Sequence, residues 1–505
     1  MSNLRIFKEA AGIPSPKTLL HNRRDVAFLI AVAILAGLTF PLTTILAGTQ
    51  NADGVITALI STQKLTWYFW GQDRFLNFIP ALAMPIVDVE WNLRFQIFLR
   101  TFFAFLAPLG VLYFFSQSVR FLTFCVVLTN CLLVLTLGSS AVFNLYVVHN
   151  PFGTSLVLFV LSLVLSRSGQ RQIVWQLAAL AIGFLAYATN IALLVIALPL
   201  IATAFCFALL PRPQLLRFFI INLLCIALAY LHSRLYGMGA TPAGSSVSWQ
   251  SIHSGYAAVA SNISYGGWGI VAITAISCGV YSSKRDWLVS VLIVFGCVAL
   301  IGVLSCSVWV QLNGYDIRYF LIFLLVGMAC FSYLLCRAAS RVVLDQRFAF
   351  GALAIVLAVT WFVGLHGLSR SYTELVSPPF RGFASDVAAT AIDNRAQLLI
   401  GDYWQVWPIV FEAHIQNNNR SDQLPVYGAA WRGDVLRKRI LRLSWRKRGI
   451  QALCLLDSVD ACSRTGAEAL HTAMSVIPGS VRAVTVASKR MLLMTVTLEP
   501  TASDR

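Results

Sequence analysis

Charge is what this sequence has least of: only 12% of its 505 residues are Asp, Glu, Lys or Arg, and the acids number just 21. Soluble domains carry roughly a quarter charged residues, so the composition excludes an ordinary soluble globular chain. Histidine is scarce as well, with seven scattered copies. No His-x-x-x-His or Cys-x-x-Cys pair occurs, which removes the usual signatures of a zinc site. No cofactor is expected from the sequence, and it is silent on a divalent metal. Internal repeats and low-complexity tracts are lacking too, which excludes solenoids and arrays.

What is present is apolar, at 58% hydrophobic residues. A helix needs roughly 20 apolar residues to cross the hydrocarbon. By that rule the chain predicts about eleven transmembrane helices: Val26–Leu46, Phe95–Phe115, Phe121–Gly138, Gly153–Ser166, Ile173–Ala188, Ile191–Leu210, Phe218–Tyr236, Trp268–Tyr281, Trp287–Val310, Tyr319–Cys336 and Phe348–Leu365. Thr189-Asn190 supplies a polar hairpin point inside one over-long apolar stretch.

Basic residues set the expected orientation. Arg5, Lys8, Lys17, Arg23 and Arg24 precede the first span and place the N-terminus in the cytoplasm. Alternation then puts Arg120, Arg167, Arg212, Lys284, Arg337 and their basic neighbours in cytoplasmic loops, and much of the net charge of +17 is explained by this bias rather than by nucleic acid. An odd number of spans leaves the C-terminal region outside. The expected organisation is a transmembrane domain over 1–368 with an outer loop at 48–94, then a small periplasmic α/β domain over 369–505. In that domain Gln397–Ile400 and Ala452–Leu456 read as strands, Tyr403–Ile415 and Ala467–Val476 as helices, and Val481–Leu498 as a hairpin around Lys489. Cys454 and Cys462 alone fall there, where a disulfide and two free thiols both fit the spacing. Arg432 to Arg448 is a basic run that suits a solvated face or a helix resting on anionic headgroups.

Acids beside a bilayer are costly and tend to mark chemistry. Asp53, Asp73 and Arg74 share the first outer loop with the aromatic run Trp67-Tyr68-Phe69-Trp70, which reads as an interfacial belt more than a sugar platform. Other short motifs follow: Phe75–Pro85, His149-Asn150-Pro151, Gly183–Asn190, Asn313-Gly314-Tyr315-Asp316-Ile317-Arg318-Tyr319, and Tyr403-Trp404. Together these resemble the bacterial GT-C-type glycosyltransferases, polytopic enzymes that take sugars from polyprenyl-phosphate carriers. The chain departs from that pattern in lacking an adjacent Asp-Glu pair in the first loop.

The resemblance implies a GT-C-like fold and an inverting transfer of a sugar to an envelope glycan or lipid on the periplasmic face. It implies a polyprenyl-phosphate-linked donor, a membrane and a glycan or lipid acceptor as partners. Asp53 is then the first choice for catalytic base and Asp73 the second, since attack by a hydroxyl needs a carboxylate to take its proton. Asp53 also suits a helix cap before Gly54–Leu65, and Asp73 an ion pair with Arg74. Gln72, Arg74, His149, Arg234, Asp316, Arg318 and Trp404 are the candidate substrate-binding residues, with Arg318 and Arg234 for the phosphate because a guanidinium forks onto it. No metal ligands are assigned. Two competing readings are a polysaccharide polymerase or ligase, and a non-enzymatic lipid or solute transporter. A transporter places charges at mid-span, and here only Arg100 does so.

Overall fold

A computed structural model describes residues 23–42, 51–116, 118–148, 151–168, 172–238, 244–264, 267, 269, 284–342, 378–418 and 425–499. Among them, five helices are long and apolar enough to cross a membrane: Val89–Leu112, Val119–Thr136, Arg212–Tyr236, Arg285–Ser305 and Leu321–Ala339. The first expected span appears as the helix Arg23–Leu42, and the Gly153 span as the shorter apolar helix Phe152–Arg167. Expected spans Trp268–Tyr281 (residue 269 apart) and Phe348–Leu365 lie outside the described residues, as do His149 and the 368/369 boundary.

The polar break at Thr189-Asn190 is real but is not an antiparallel hairpin. One helix stops at Thr189 and the next starts at Ile191, and the two meet at 106°. Asn190 Oδ1 accepts from the Ala192 amide at 3.1 Å, so the polar side chain caps the second segment rather than closing a tight reversal.

Arg100 is buried within its span, and its charge is distributed over neutral acceptors. It donates to the Val147 carbonyl at 3.0 Å, to Thr57 Oγ1 at 2.5 Å and to Gln96 Oε1 at 2.9 Å. Gln96 in turn donates to the Thr57 carbonyl, and Asn92 to Ser61 Oγ. This polar stripe ties the Val89–Leu106 helix to the short helix Ala52–Thr62, which holds Asp53.

The C-terminal region holds a six-stranded sheet: β1 (Leu398–Ile400), β2 (Tyr427–Ala429), β3 (Ile450–Cys454), β4 (Ala473–Val476), β5 (Arg482–Val486) and β6 (Lys489–Glu499). β2, β1 and β3 run parallel, and β6 pairs antiparallel with β3. β6 has 11 residues, enough for β5 to pair with its first half and β4 with its second. The expected strands, the Tyr403 helix and the final hairpin are present, and Cys454 and Cys462 form a disulfide. The helix expected at Ala467–Val476 is corrected. Ser458 caps a helix over Val459–Leu470, His471 ends it with a left-handed φ of 48°, and Ala473–Val476 continues as β4. Met474 is drawn inward against Gly466, where a β-carbon would clash, and that packing outweighs helix propensity.

The C-terminal region packs on the segment between the helices Ala52–Thr62 and Val89–Leu106. Trp70 packs against Trp407 with centroids 5.6 Å apart, and Lys64 Nζ donates to the Val435 carbonyl at 2.6 Å. His414 Nε2 lies 2.7 Å from Gln63 Nε2, and Asn418 donates to Asp88 Oδ2 at 2.8 Å. Gly71, at φ 68°, lets the loop backbone close onto Arg432, whose Cγ would lie 3.0 Å from an added β-carbon.

Candidate active site

Asp53 sits in the first turn of the Ala52–Thr62 helix but does not cap it. Asn51 takes that role, its Oδ1 accepting from the Gly54 amide at 2.9 Å. The Asp53 carboxylate is thereby released from the local backbone and gathers partners from distant parts of the chain. Arg318 Nη1 lies 3.1 Å from Oδ2, Tyr403 donates its hydroxyl to Oδ1 at 2.5 Å, and Arg432 Nη1 stands 3.6 Å from Oδ1. A carboxylate has about four lone-pair sites, so these partners leave room for a further donor. Its side chain keeps 18% of its exposure.

Arg318 is shared between two acids. Its Nε lies 3.5 Å from Asp316 Oδ2, while Asp316 Oδ1 accepts from the Arg318 amide at 3.0 Å and caps the turn before the last described span. Arg318 also lies over Tyr319 at 5.2 Å. Burial works against its charge, and Tyr319, Asp316 and Asp53 outweigh that effect, holding the guanidinium above its ordinary value.

Arg432 completes the site, and it was not among the residues singled out from sequence. It is only 6% exposed, with φ at 75°. Its guanidinium lies over Trp431 at 4.3 Å, Phe69 at 4.6 Å and Tyr403 at 5.0 Å. Those rings hold the cation by their π-faces and take none of its N–H donors. Nε and Nη1 of Arg432 are buried without hydrogen-bond partners, and so is Nε of Arg74. Arg74 lies over Phe75 and Trp309, each at 5.0 Å. Burial lowers its proton affinity first; Tyr319 and Asp73 offset part of that, and Arg432 and Arg318 add repulsion. Arg318 and Arg432 both reach the Asp53 carboxylate, and Arg74 is within electrostatic reach of both guanidiniums.

The remaining candidates divide. Asp73 is held by backbone against the end of the Arg212–Tyr236 helix, its carbonyl accepting from Ser233 Oγ at 2.6 Å, and its charge acts on Arg74 and on Tyr68. Burial, with Asp73 second, pushes the Tyr68 phenol up to about 12. Gln72 has a buried Oε1 with no partner, and its carbonyl accepts from Met238 at 2.9 Å. Arg234 turns instead to Tyr230 on its own helix, donating to the hydroxyl at 3.1 Å, and is not brought to Asp53. Trp404 follows Tyr403 at the start of the Tyr403–Asn417 helix, 47% exposed, its ring 5.1 Å from that of Tyr403. Of the aromatics expected in an interfacial belt, Trp67 is exposed. Tyr68 and Trp70 are buried, Tyr68 bonded to His232 Nδ1 at 2.8 Å and Trp70 to the Lys64 carbonyl at 3.0 Å.

Neither a family model nor a curated protein matches the chain. Among solved structures, ArnT from Cupriavidus metallidurans, crystallised bound to undecaprenyl phosphate, is similar with a TM-score of 0.51 and 12% identity, over 93% of this chain and 97% of that one. The chain therefore has the fold of that ArnT structure, the GT-C-like architecture that the sequence resemblance implied.

Proposed function

We propose that this protein is an inner-membrane glycosyltransferase that moves a sugar from a polyprenyl-phosphate carrier to an envelope glycan or lipid acceptor on the periplasmic face. One observation carries the reading: the Asp53 carboxylate lies between Arg318 and Arg432. The buried Nε atoms of Arg432 and Arg74 have no hydrogen-bond partner. Burying an N–H without a partner costs about 1–3 kcal/mol, a cost that a bound phosphate removes. The similar ArnT structure is bound to undecaprenyl phosphate, which supports a lipid-carried phosphate as the ligand.

The chemistry follows from the residues. A phosphate oxygen on the donor sugar engages Arg74 and Arg432 and competes with Asp53 for Arg318. Drawing Arg318 toward the phosphate frees Asp53 Oδ2, which accepts the proton of the acceptor hydroxyl. The acceptor oxygen attacks the anomeric carbon from the face opposite the phosphate. The bond from that carbon to the phosphate oxygen breaks, its electron pair leaving on the carrier phosphate under the guanidiniums. A single displacement of this kind inverts the anomeric centre. Tyr403 donates to Asp53 Oδ1 and fixes the carboxylate plane. Trp404 and the equally open Trp431 flank Tyr403 and offer ring faces to a sugar.

The test is transfer in proteoliposomes holding a radiolabelled polyprenyl-phosphate sugar and envelope extract as acceptor. Wild type should transfer label, and Asp53→Asn should lose about 10²–10⁴-fold in rate, the usual contribution of a positioned base. Label that crosses the bilayer unchanged, equally in both proteins, would favour a transporter instead.

A further inference from the structure

The helix Arg437–Lys447 has no part in the reaction just described, and its outer face is charged in one sign. Ile440, Leu441 and Ser444 turn inward and are buried, while Lys438, Arg442, Trp445 and Arg446 face out. Spacings of four and seven residues place Lys438, Arg442 and Trp445 on one stripe, with Arg446 beside them. Among the described residues, Lys438, Arg442 and Arg446 have no acidic partner. Trp445 stands in their midst, 50% exposed.

Two contacts fix the height of this helix. Arg439, on the border of the open face, donates to the Gln63 carbonyl, and Lys64 donates to the carbonyl of Val435 just before the helix. Gln63 and Lys64 lead directly to Trp67, whose ring meets His232 edge-on at 5.3 Å and lies 5.9 Å from Tyr236, the last residue of a span. The helix is thus tied to a loop level with the end of a membrane helix. Lys438 is close enough to that loop to act on Lys64, whose ammonium is lowered by burial first and then by Arg439 and Lys438.

We infer that the Lys438, Arg442, Trp445 and Arg446 face docks on anionic phospholipid headgroups of the bilayer surrounding the protein. Cations at bilayer level are drawn to headgroup phosphates, and an indole among them suits the interfacial layer, where one edge is apolar and the other wet. A soluble anion would use the cations and leave the indole without a role. The contact would hold the outer domain, and with it Tyr403 and Arg432, against the membrane portion that supplies Asp53 and Arg318. The inference rests on the docking contacts and not on the reading of the Asp53 site.

The experiment compares full-length protein in nanodiscs of mixed phosphatidylglycerol and phosphatidylcholine with protein in phosphatidylcholine alone, following hydrogen exchange over 437–448. Exchange should slow by about tenfold or more with the anionic lipid, the scale of one or two headgroup contacts. High salt should erase the difference, as should the combined Lys438→Gln, Arg442→Gln and Arg446→Gln variant. A variant with Lys438→Arg, Arg442→Lys and Arg446→Lys should keep it, and decides the matter if the neutralised one fails to fold. Equal exchange in the two bilayers would overturn the inference. So would equal protection in phosphatidylcholine discs given inorganic phosphate, which would assign the face to a soluble anion.

Discussion

Asp53 and Tyr403, 350 residues apart in the chain, share a hydrogen bond of 2.5 Å. It joins the N-terminal helical portion to the C-terminal domain at the point where the transfer chemistry is proposed. Burial, then the charge of Asp53, holds the Tyr403 phenol well above its ordinary value, so it remains a donor. A hydrogen bond to a charged group contributes about 1.5–3 kcal/mol. Tyr403→Phe should therefore lower kcat/KM by about ten- to a hundredfold and leave donor binding nearly unchanged. An unaltered kcat/KM in steady-state assays would reduce Tyr403 to a packing residue.

Two carboxylates compete for the base, and the geometry separates them. Asp53 is released from capping by Asn51 and faces three partners, whereas the Asp73 backbone is pinned by Ser233. Asp53→Asn should abolish transfer with little change in thermal stability, while Asp73→Asn should cost tenfold or less, through its effect on Arg74. The reverse pattern in matched rate measurements would move the base to Asp73.

How much of this was legible in the sequence depends on what each residue's neighbours in the chain reveal. Asp53, Asp316 and Arg318 stand out because charges are rare beside apolar spans. Arg432 does not, because it heads a run of cations and only its left-handed backbone and its three rings distinguish it. The buried tie through Arg100 had a signal: Asn92, Gln96 and Arg100 recur every four residues on one helix face. Arg234 has the same sequence credentials as Arg318, yet it falls one turn from Tyr230 and turns to it. The stop at His471 left no local mark, because the packing of Met474 on Gly466 is a tertiary effect.

The short-loop Lys/Arg bias predicts the topology. The expected outcome is a cytoplasmic N-terminus and a periplasmic C-terminal domain. A phosphatase fused after Gly367 should be active and a cytoplasmic reporter at the same place dark. The bend of 106° between Thr189 and Ile191 makes the measurement decisive, since one bent span in place of two would invert everything that follows.

His414, on the helix Tyr403–Asn417, meets Gln63, and burial lowers its proton affinity, with a hydrogen bond to the Val426 carbonyl offsetting part of that. Its folded value thus lies below the unfolded one of about 6.5. Between the two values the unfolded state binds the extra proton, so stability is full above about pH 6.5 and falls as the pH drops below it. Thermal unfolding of the wild type should show this loss, and His414→Gln should flatten it. An identical acid slope in both would place the acid sensitivity elsewhere.

Arg318 and Arg432 reach the same carboxylate from separate parts of the chain, but their surroundings differ. Arg318 has Asp53 and Asp316 as partners, so Arg318→Lys keeps the charge and loses the fork. Arg432 is held over three rings with Nε lacking a hydrogen-bond partner and Nη1 3.6 Å from Asp53, so Arg432→Lys loses both the stacking and the fork proposed to meet a phosphate. Each charge-assisted contact contributes about 1.5–3 kcal/mol, which is about 10- to 150-fold in a dissociation constant. Donor affinity, measured by competition with a short-chain polyprenyl phosphate, should fall more in Arg432→Lys than in Arg318→Lys. Arg432→Gly removes the side chain at a residue whose φ of 75° suits glycine. It should therefore lose donor binding while keeping its fold. Wild-type affinity in Arg432→Gly would assign the phosphate to Arg74 and Arg318 alone, and leave Arg432 as the cation that orders the rings around Tyr403.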